Sequence, residues 1–237
     1  MRAVKSTVDQ IRERFDNDVE RFSNLETGQT ATIDAAMVLD LIAQVVAKTN
    51  PDAHSILDVG CGAGNFTLKV LGILPNLDAT LIDLSSAMLA RAHSRVGAAT
   101  TGRVHAIQGD IRELDLGKEQ FDIIVAAAVL HHLREEVEWT AVFSKFYACL
   151  KPGGSIWISD LVSHTLPAIQ DIMWGRYGDY LVAFKGEEYR DTVFAYVEQE
   201  DTPRPVLFQC ELLRSSGFRE VEILHKNAVF AAFGAIK

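Results

Sequence analysis

Three acids, each at or beside the end of an apolar run, are the residues of this chain whose type and spacing could do chemistry. Ile56-Leu57-Asp58-Val59 runs straight into Gly60-Cys61-Gly62-Ala63-Gly64. Thr80-Leu81-Ile82-Asp83 follows about twenty residues past that turn, and Val104 to Ile111 contains Gly109-Asp110. An apolar run, a glycine turn and then a helix form a join whose backbone N–H groups can approach a ligand where a Cβ would collide. A dinucleotide fingerprint would need its third glycine where Asn65 stands, so that motif fails. Asp58, ahead of the turn, would repel a pyrophosphate and suits a ligand that carries positive charge.

The acids need a scaffold that brings them together. Strands are expected near 55–59, 78–83, 104–108, 121–127 and 154–159, alternating with helices, which is the pattern of a parallel sheet covered on both faces. In such sheets a ligand binds outside the carboxyl ends of the strands, so acids at successive strand ends converge on one crevice. S-adenosylmethionine, with a sulfonium and an ammonium on a nucleoside, fits that crevice. Asp83 is the candidate acceptor for ribose hydroxyls, although it or Ser85 could instead cap the helix from Ser86 to Val96. Asp110 is placed to accept from an adenine amino group, with Ile111 packing on the ring. Cys61 is more naturally a small apolar filler of the turn than a nucleophile, since no base is paired with it.

These residues resemble the class I S-adenosylmethionine-dependent methyltransferases, through Asp58-Val-Gly60-Cys-Gly62-Ala-Gly64, Asp83, Gly109-Asp110-Ile111, Phe121-Asp122-Ile-Ile-Val125, Val129-Leu-His131-His132-Leu133 and Leu150-Lys-Pro152-Gly153-Gly154. The likeness covers about residues 50 to 160. It implies that the glycine loop holds the methionine portion and that Asp83 holds the ribose. Asp110 and Ile111 would hold the adenine, Leu84 and Met88 would complete the cofactor wall, and Ala127 would lie beneath the methyl group. S-adenosylhomocysteine would be the product.

The remaining chain sets bounds. With 237 residues and 48% apolar content, one α/β domain with a modest insertion is the simplest organisation. The charged start carries no signal-peptide core, no apolar run approaches a bilayer span, and three cysteines without C-x-x-C spacing suggest a reducing compartment, so a cytoplasmic protein is expected. A net charge of −9 argues against broad contact with a nucleic-acid backbone. Histidines such as His54, His93 and His225 show no metal-ligand spacing, and no metal is expected. The partner expected is a small-molecule methyl acceptor; a homodimer is compatible with this reading.

Val8, Ile11, Phe15, Val19 and Phe22 recur at helical steps, so residues 6–24 are expected to form one amphipathic helix over the crevice, within an N-terminal helical lid spanning 1–50. A second helix over 32–48 precedes the cofactor core at 51–160. Residues 161–203 break the alternation with an aromatic insertion, in which Trp174, Tyr177 and Tyr180 are expected to wall an acceptor site opposite Phe15 and Phe22. A helix over 206–216, closed by Gly217, and strands near 221–224 and 229–236 complete a doubly wound, mostly parallel sheet of seven strands, the last antiparallel. His131, after the fourth strand, is the candidate general base, set against a plain packing or capping role.

The tail also resembles the carboxy-S-adenosylmethionine synthases of the tRNA wobble-uridine pathway, through Lys185-Gly-Glu-Glu-Tyr189, Gly217-Phe218 and Phe230-Ala-Ala-Phe233-Gly-Ala-Ile-Lys237. That family holds its cofactor's extra carboxylate with an arginine five positions before the glycine, where Leu212 stands here. Arg214 lies about 200° around a helix from that position. The expectation is therefore an enzyme that uses ordinary S-adenosylmethionine to methylate an oxygen, nitrogen or sulfur. The rivals are a tRNA-modification enzyme, either a carboxy-S-adenosylmethionine synthase or a tRNA methyltransferase, and a non-catalytic cofactor-binding module.

Overall fold

Ser55–Val59 forms β1, which is buried from Ile56 onward because neighbours cover it on both edges and both faces. A computed structural model describes residues 5–24 and 29–237, without the side chains of Arg21 and Phe22. β2 (Asp78–Asp83) and β4 (Phe121–Ala127) flank β1 in parallel, β3 (Val104–Gln108) lies outside β2, and β5 (Leu150–Leu161) lies beside β4. β7 (Phe230–Ile236) pairs antiparallel with both β5 and β6 (Arg219–Asn227). The order β3-β2-β1-β4-β5-β7-β6 makes a seven-stranded, doubly wound sheet whose direction of winding reverses between β1 and β4.

Alternation along the strands divides the core between the two faces. Leu57, Ile124 and Ile156 pack with Trp139, Phe143 and Phe146 of α6 (Glu136–Cys149) and with Leu213 of α9 (Val206–Ser216). Ile56, Ile123 and Leu81 pack on the other face with Ile42 and Val46 of α3 (Ala35–Thr49), Val70 of α4 (Asn65–Leu71) and Leu89 of α5 (Ser86–Gly97). The insertion forms two helices, α7 (Pro167–Lys185) and α8 (Glu187–Glu200), separated at Gly186. They build a third core around Tyr177, Leu181 and Val229.

Local chemistry explains most boundaries. Thr7 and Gln10 cap the first helix reciprocally, Ser85 accepts from Met88 N–H at 3.1 Å to cap α5, and Gly217 ends α9 at φ 109°. The single helix expected over 6–24 is interrupted: α1 covers Val8–Asn17 and a short α2 covers Val19–Phe22. Asn17 and Asp18 are turn-forming residues, and Asn17 donates its side-chain amide to Glu13 O at 2.8 Å. β5 begins at Leu150 rather than 154, because the Lys-Pro-Gly-Gly stretch continues the strand through a register shift opposite Phe121 and Ile123 instead of ending it. None of the helices among the described residues is long and apolar enough to cross a membrane.

Candidate active site

The reversal of winding opens a crevice between the ends of β1 and β4, and the glycine turn forms one bank. Gly60, Gly62 and Gly64 have φ of 67°, 50° and 81°. A Cβ on Gly60 would lie 2.5 Å from Val129 Cγ2, so the close approach of these two loops requires glycine there. The turn is pinned on several sides. Cys61 N–H donates to Ile82 O at 2.9 Å, Gly62 N–H donates to Asp83 Oδ2 at 2.8 Å, and Arg95 donates to Ala63 O at 2.6 Å and Asn65 Oδ1 at 2.8 Å.

Three adjoining cavities follow the strand ends. One of about 100 Å³ is lined by the glycine turn, Asp83, Leu84, Met88 and Ala127. Another, of about 60 Å³, holds Asp110 and Ile111 beside Gly60, Asp83 and Leu84. The third, of about 220 Å³, lies beyond Ala127 and Ala128 and is walled by α1, α7, α8 and the end of β5. His132 borders all three. Ala128 sits at φ 51° with its N–H donated to Ser159 O at 2.8 Å, a strained conformation held where the cavities meet.

Asp83 faces the crevice, and its other oxygen accepts from Ser85 N–H at 2.9 Å. Burial raises its pKa, against the pull of those backbone N–H groups. Asp110 is gripped by Arg112, whose Nε donates to both carboxylate oxygens at 2.9 and 3.0 Å. Burial opposes the Asp110 charge, but the Arg112 bonds outweigh it and hold the pKa below its usual value. Asp58 stands behind the glycine turn rather than on a cavity wall. Its Oδ2 accepts from Thr67 Oγ1 at 2.6 Å and Thr67 N–H at 3.3 Å, and burial pushes its pKa up to about 7. Burial also pushes the Cys61 thiol upward, away from the thiolate a nucleophile needs.

In the cavity of about 220 Å³, Phe15 stands opposite Tyr177, Tyr189, Tyr196 and Phe230. Trp174 and Tyr180 are elsewhere: Trp174 stacks on Phe194, and the Tyr180 hydroxyl donates to Thr30 O at 2.9 Å. The Phe22 side chain lies outside the described residues. Sequence reasoning did not single out Arg14, which pairs with Glu200 at 2.7 Å and lies over the Tyr196 ring. With Arg12 and Arg21 it reads from sequence as part of a solvated face interleaved with acids, and Glu200, its partner, is too far along the chain to signal otherwise.

His131 lies in a buried polar group that no local sequence pattern signals. Its Nδ1 is bonded to Asp160 Oδ1, while its Nε2 is 3.6 Å from Asp201 Oδ1. Burial opposes its positive charge, but Asp160 and Asp201 outweigh that and raise its pKa to about 9. A histidine held towards its protonated form in this way is a poor general base. His132 Nδ1 is 3.3 Å from the same Asp201 oxygen but outside hydrogen-bond geometry, and burial, followed by the charges of His131 and Arg14, depresses its pKa. Asp201 follows α8, far from the histidines in sequence. Thr202 N–H, donating to His131 O at 2.7 Å, brings the segments together.

A methyltransferase-domain family model matches residues 56–154. The chain is 31% identical over 194 residues to the carboxy-S-adenosyl-L-methionine synthase of Chromohalobacter salexigens, covering 78% of this chain and 68% of that protein. It is 27% identical over 208 residues to the same enzyme of Nautilia profundicola, covering 84% of each. Its fold is similar to magnesium protoporphyrin IX methyltransferase of Synechocystis PCC 6803, with a TM-score of 0.67, 14% identity and coverage of 98% and 100% of the two chains. Sheet order, glycine turn and these relationships agree: the chain belongs to the class I S-adenosylmethionine-dependent methyltransferase family.

Proposed function

We propose that this enzyme methylates a compact aromatic acceptor at an oxygen, nitrogen or sulfur atom, by direct displacement at the methyl carbon. The methyl donor is S-adenosylmethionine and the product S-adenosylhomocysteine. The observation that carries the reading is the junction at Ala127, Ala128 and His132, where the cavity against the glycine turn meets a larger one walled by Phe15, Tyr177, Tyr189 and Tyr196. Methyl transfer from a sulfonium needs an in-line nucleophile at short range in a desolvated pocket, and that junction is where the two reactants would touch. A volume of about 220 Å³ favours a small acceptor, and the aromatic walls favour a planar one.

In this reading the glycine turn receives the amino-acid end of the cofactor, Asp83 accepts from the ribose, and Asp110 and Ile111 border the adenine. Asp58 acts from behind the turn as counter-charge to the ligand's positive end. The free and buried Cys61, Cys149 and Cys210 fit the reducing cytoplasm.

The similarity to carboxy-S-adenosylmethionine synthases supports a second reading, a transferase that handles a carboxylated sulfonium. Against it, the described lining of the cavity at the glycine turn contains no arginine or lysine, and Arg14 of the adjoining cavity is already paired with Glu200 at 2.7 Å. Mass spectrometry of the nucleoside that copurifies decides between the two. Calorimetric titration with S-adenosylhomocysteine, followed by transfer of a labelled methyl group across small phenols, aryl amines and thiols, tests the first. Tight binding with a carboxylated nucleoside in the purified protein and no transfer would reverse the preference.

A further inference from the structure

The structure points to a metal site at the acceptor end of the crevice, and we propose that His131, His132 and Asp201 bind a single zinc ion. The inference goes beyond methyl transfer and does not rest on it, because it concerns the ligand-free protein.

Each of the three side chains offers one ligand atom, and the three atoms lie within 4.8 Å of one another. Asp201 Oδ1 is 3.6 Å from His131 Nε2 and 3.3 Å from His132 Nδ1. Zinc bonds to nitrogen and oxygen of about 2.0–2.1 Å give a tetrahedron whose edges are about 3.3 Å, so small side-chain adjustments bring these atoms onto three corners. The fourth corner is left for the cavity of about 220 Å³, which all three residues line.

Two further features favour an ion over a plain hydrogen-bonded cluster. Asp201 is 3% exposed at its side chain, yet its Oδ1 has no hydrogen-bond partner, and the His132 ring has the Glu200 backbone beside it but no hydrogen bond of good geometry. Buried polar atoms are seldom left so, and two of these, Asp201 Oδ1 and His132 Nδ1, face each other at 3.3 Å. The surroundings also match the outer shell of a metal-bound imidazole. Asp160 takes the Nδ1 side of His131 and is itself fixed by Leu130 N–H at 2.8 Å and Leu161 N–H at 2.7 Å, which leaves Nε2 as the coordinating atom. Arg14 lies nearby, but its charge is paired with Glu200. On binding, zinc would replace the proton on His131 Nε2, which goes to solvent. Its open position would take a water molecule or an anionic oxygen or sulfur ligand.

The test uses the full chain, stripped with a chelator and titrated with zinc chloride by calorimetry, with elemental analysis after dialysis. One zinc per chain is expected. His132→Gln and Asp201→Asn should each weaken binding by roughly 100-fold, the scale at which even outer-shell partners matter. Cobalt(II) should give the intense visible bands of a four-coordinate ion, and these should be lost in His132→Gln. Absence of saturable zinc binding by the wild type overturns the proposal, as does binding that both folded variants leave within twofold. Should Asp201→Asn fail to fold, wild-type stoichiometry and the His132→Gln cobalt spectrum still decide. The stripped wild type is expected to retain its affinity for S-adenosylhomocysteine; absence of that affinity in both the stripped and the zinc-loaded protein would count against the cofactor assignment and leave the metal result standing.

Discussion

Asp58 gives the most quantitative prediction, because its carboxyl is buried without a cation to balance it. In the unfolded chain it ionises near its ordinary 3.8, whereas in the empty folded protein burial holds the proton on until about 7. Between those values the folded state carries the extra proton, so stability falls as pH rises through the window and levels off above it. Converting that displacement gives about 4 kcal/mol, most of which falls between pH 5 and 8. Asp58→Asn keeps an oxygen that can accept from Thr67 but has no charge to bury. Denaturant unfolding of the two proteins should therefore show the wild type weakening between pH 5 and 8 and the variant changing less, by about 3 kcal/mol. The variant should equal or exceed the wild type in stability at pH 8. Calorimetry at that pH should nevertheless show weaker binding of S-adenosylhomocysteine, because the ammonium has lost its counter-charge. Parallel pH profiles for the two proteins would refute the claim that this acid is held protonated.

Gly60→Ala and Gly62→Ala separate contact from strain. The first forces a Cβ to 2.5 Å from Val129 and should abolish detectable cofactor binding, while the second meets nothing within 4 Å and should show only the roughly 1–2 kcal/mol of a left-handed alanine in thermal unfolding. Asp83→Ala removes the acceptor of the Gly62 and Ser85 N–H groups as well as the proposed ribose contact. A fall in S-adenosylhomocysteine affinity of about 1.5–3 kcal/mol is expected, and an unchanged calorimetric affinity would count against that role. Tyr189→Ala removes a wall of the larger cavity and should raise the acceptor KM while leaving cofactor affinity within about twofold; equal losses in both would argue that α8 shapes the cofactor site too.

The cofactor half was legible because its determinants are local. Ile56 to Gly64 encodes a strand, its burial and a turn in one run, and the observed β1, β2, β3 and β4 have the expected bounds. Where local signals pointed two ways, the expectation failed. Gly153-Gly154 resembles a stop, but β4 and β7 supply pairing partners that carry β5 through it. The steps of Val19 and Phe22 continue a helical stripe, but Asn17-Asp18 interrupts the backbone.

The acceptor half depends on contacts that no local pattern encodes. Trp174, Tyr177 and Tyr180 share helical spacing, yet only Tyr177 lines the described cavity, because Ile33 and Val229 give the insertion a core of its own and draw the others into or around it. Asp201 ranks as an ordinary acid after a helix until the Thr202 to His131 bond sets it against two histidines. The N-terminal segment is tied to that same stretch: Lys5 donates to the carbonyls of Glu198 and Asp201 at 2.6 and 2.5 Å, and Ser6 donates to Glu200 Oε1 at 2.5 Å. The same strap that carries Arg14 and Phe15 across the cavity thus also fixes the end of α8, so the shape of the acceptor site is set jointly by chain segments far apart in sequence. Substitutions at Ser6 or Glu200 should therefore act on acceptor selectivity through the cavity wall, without touching the glycine turn.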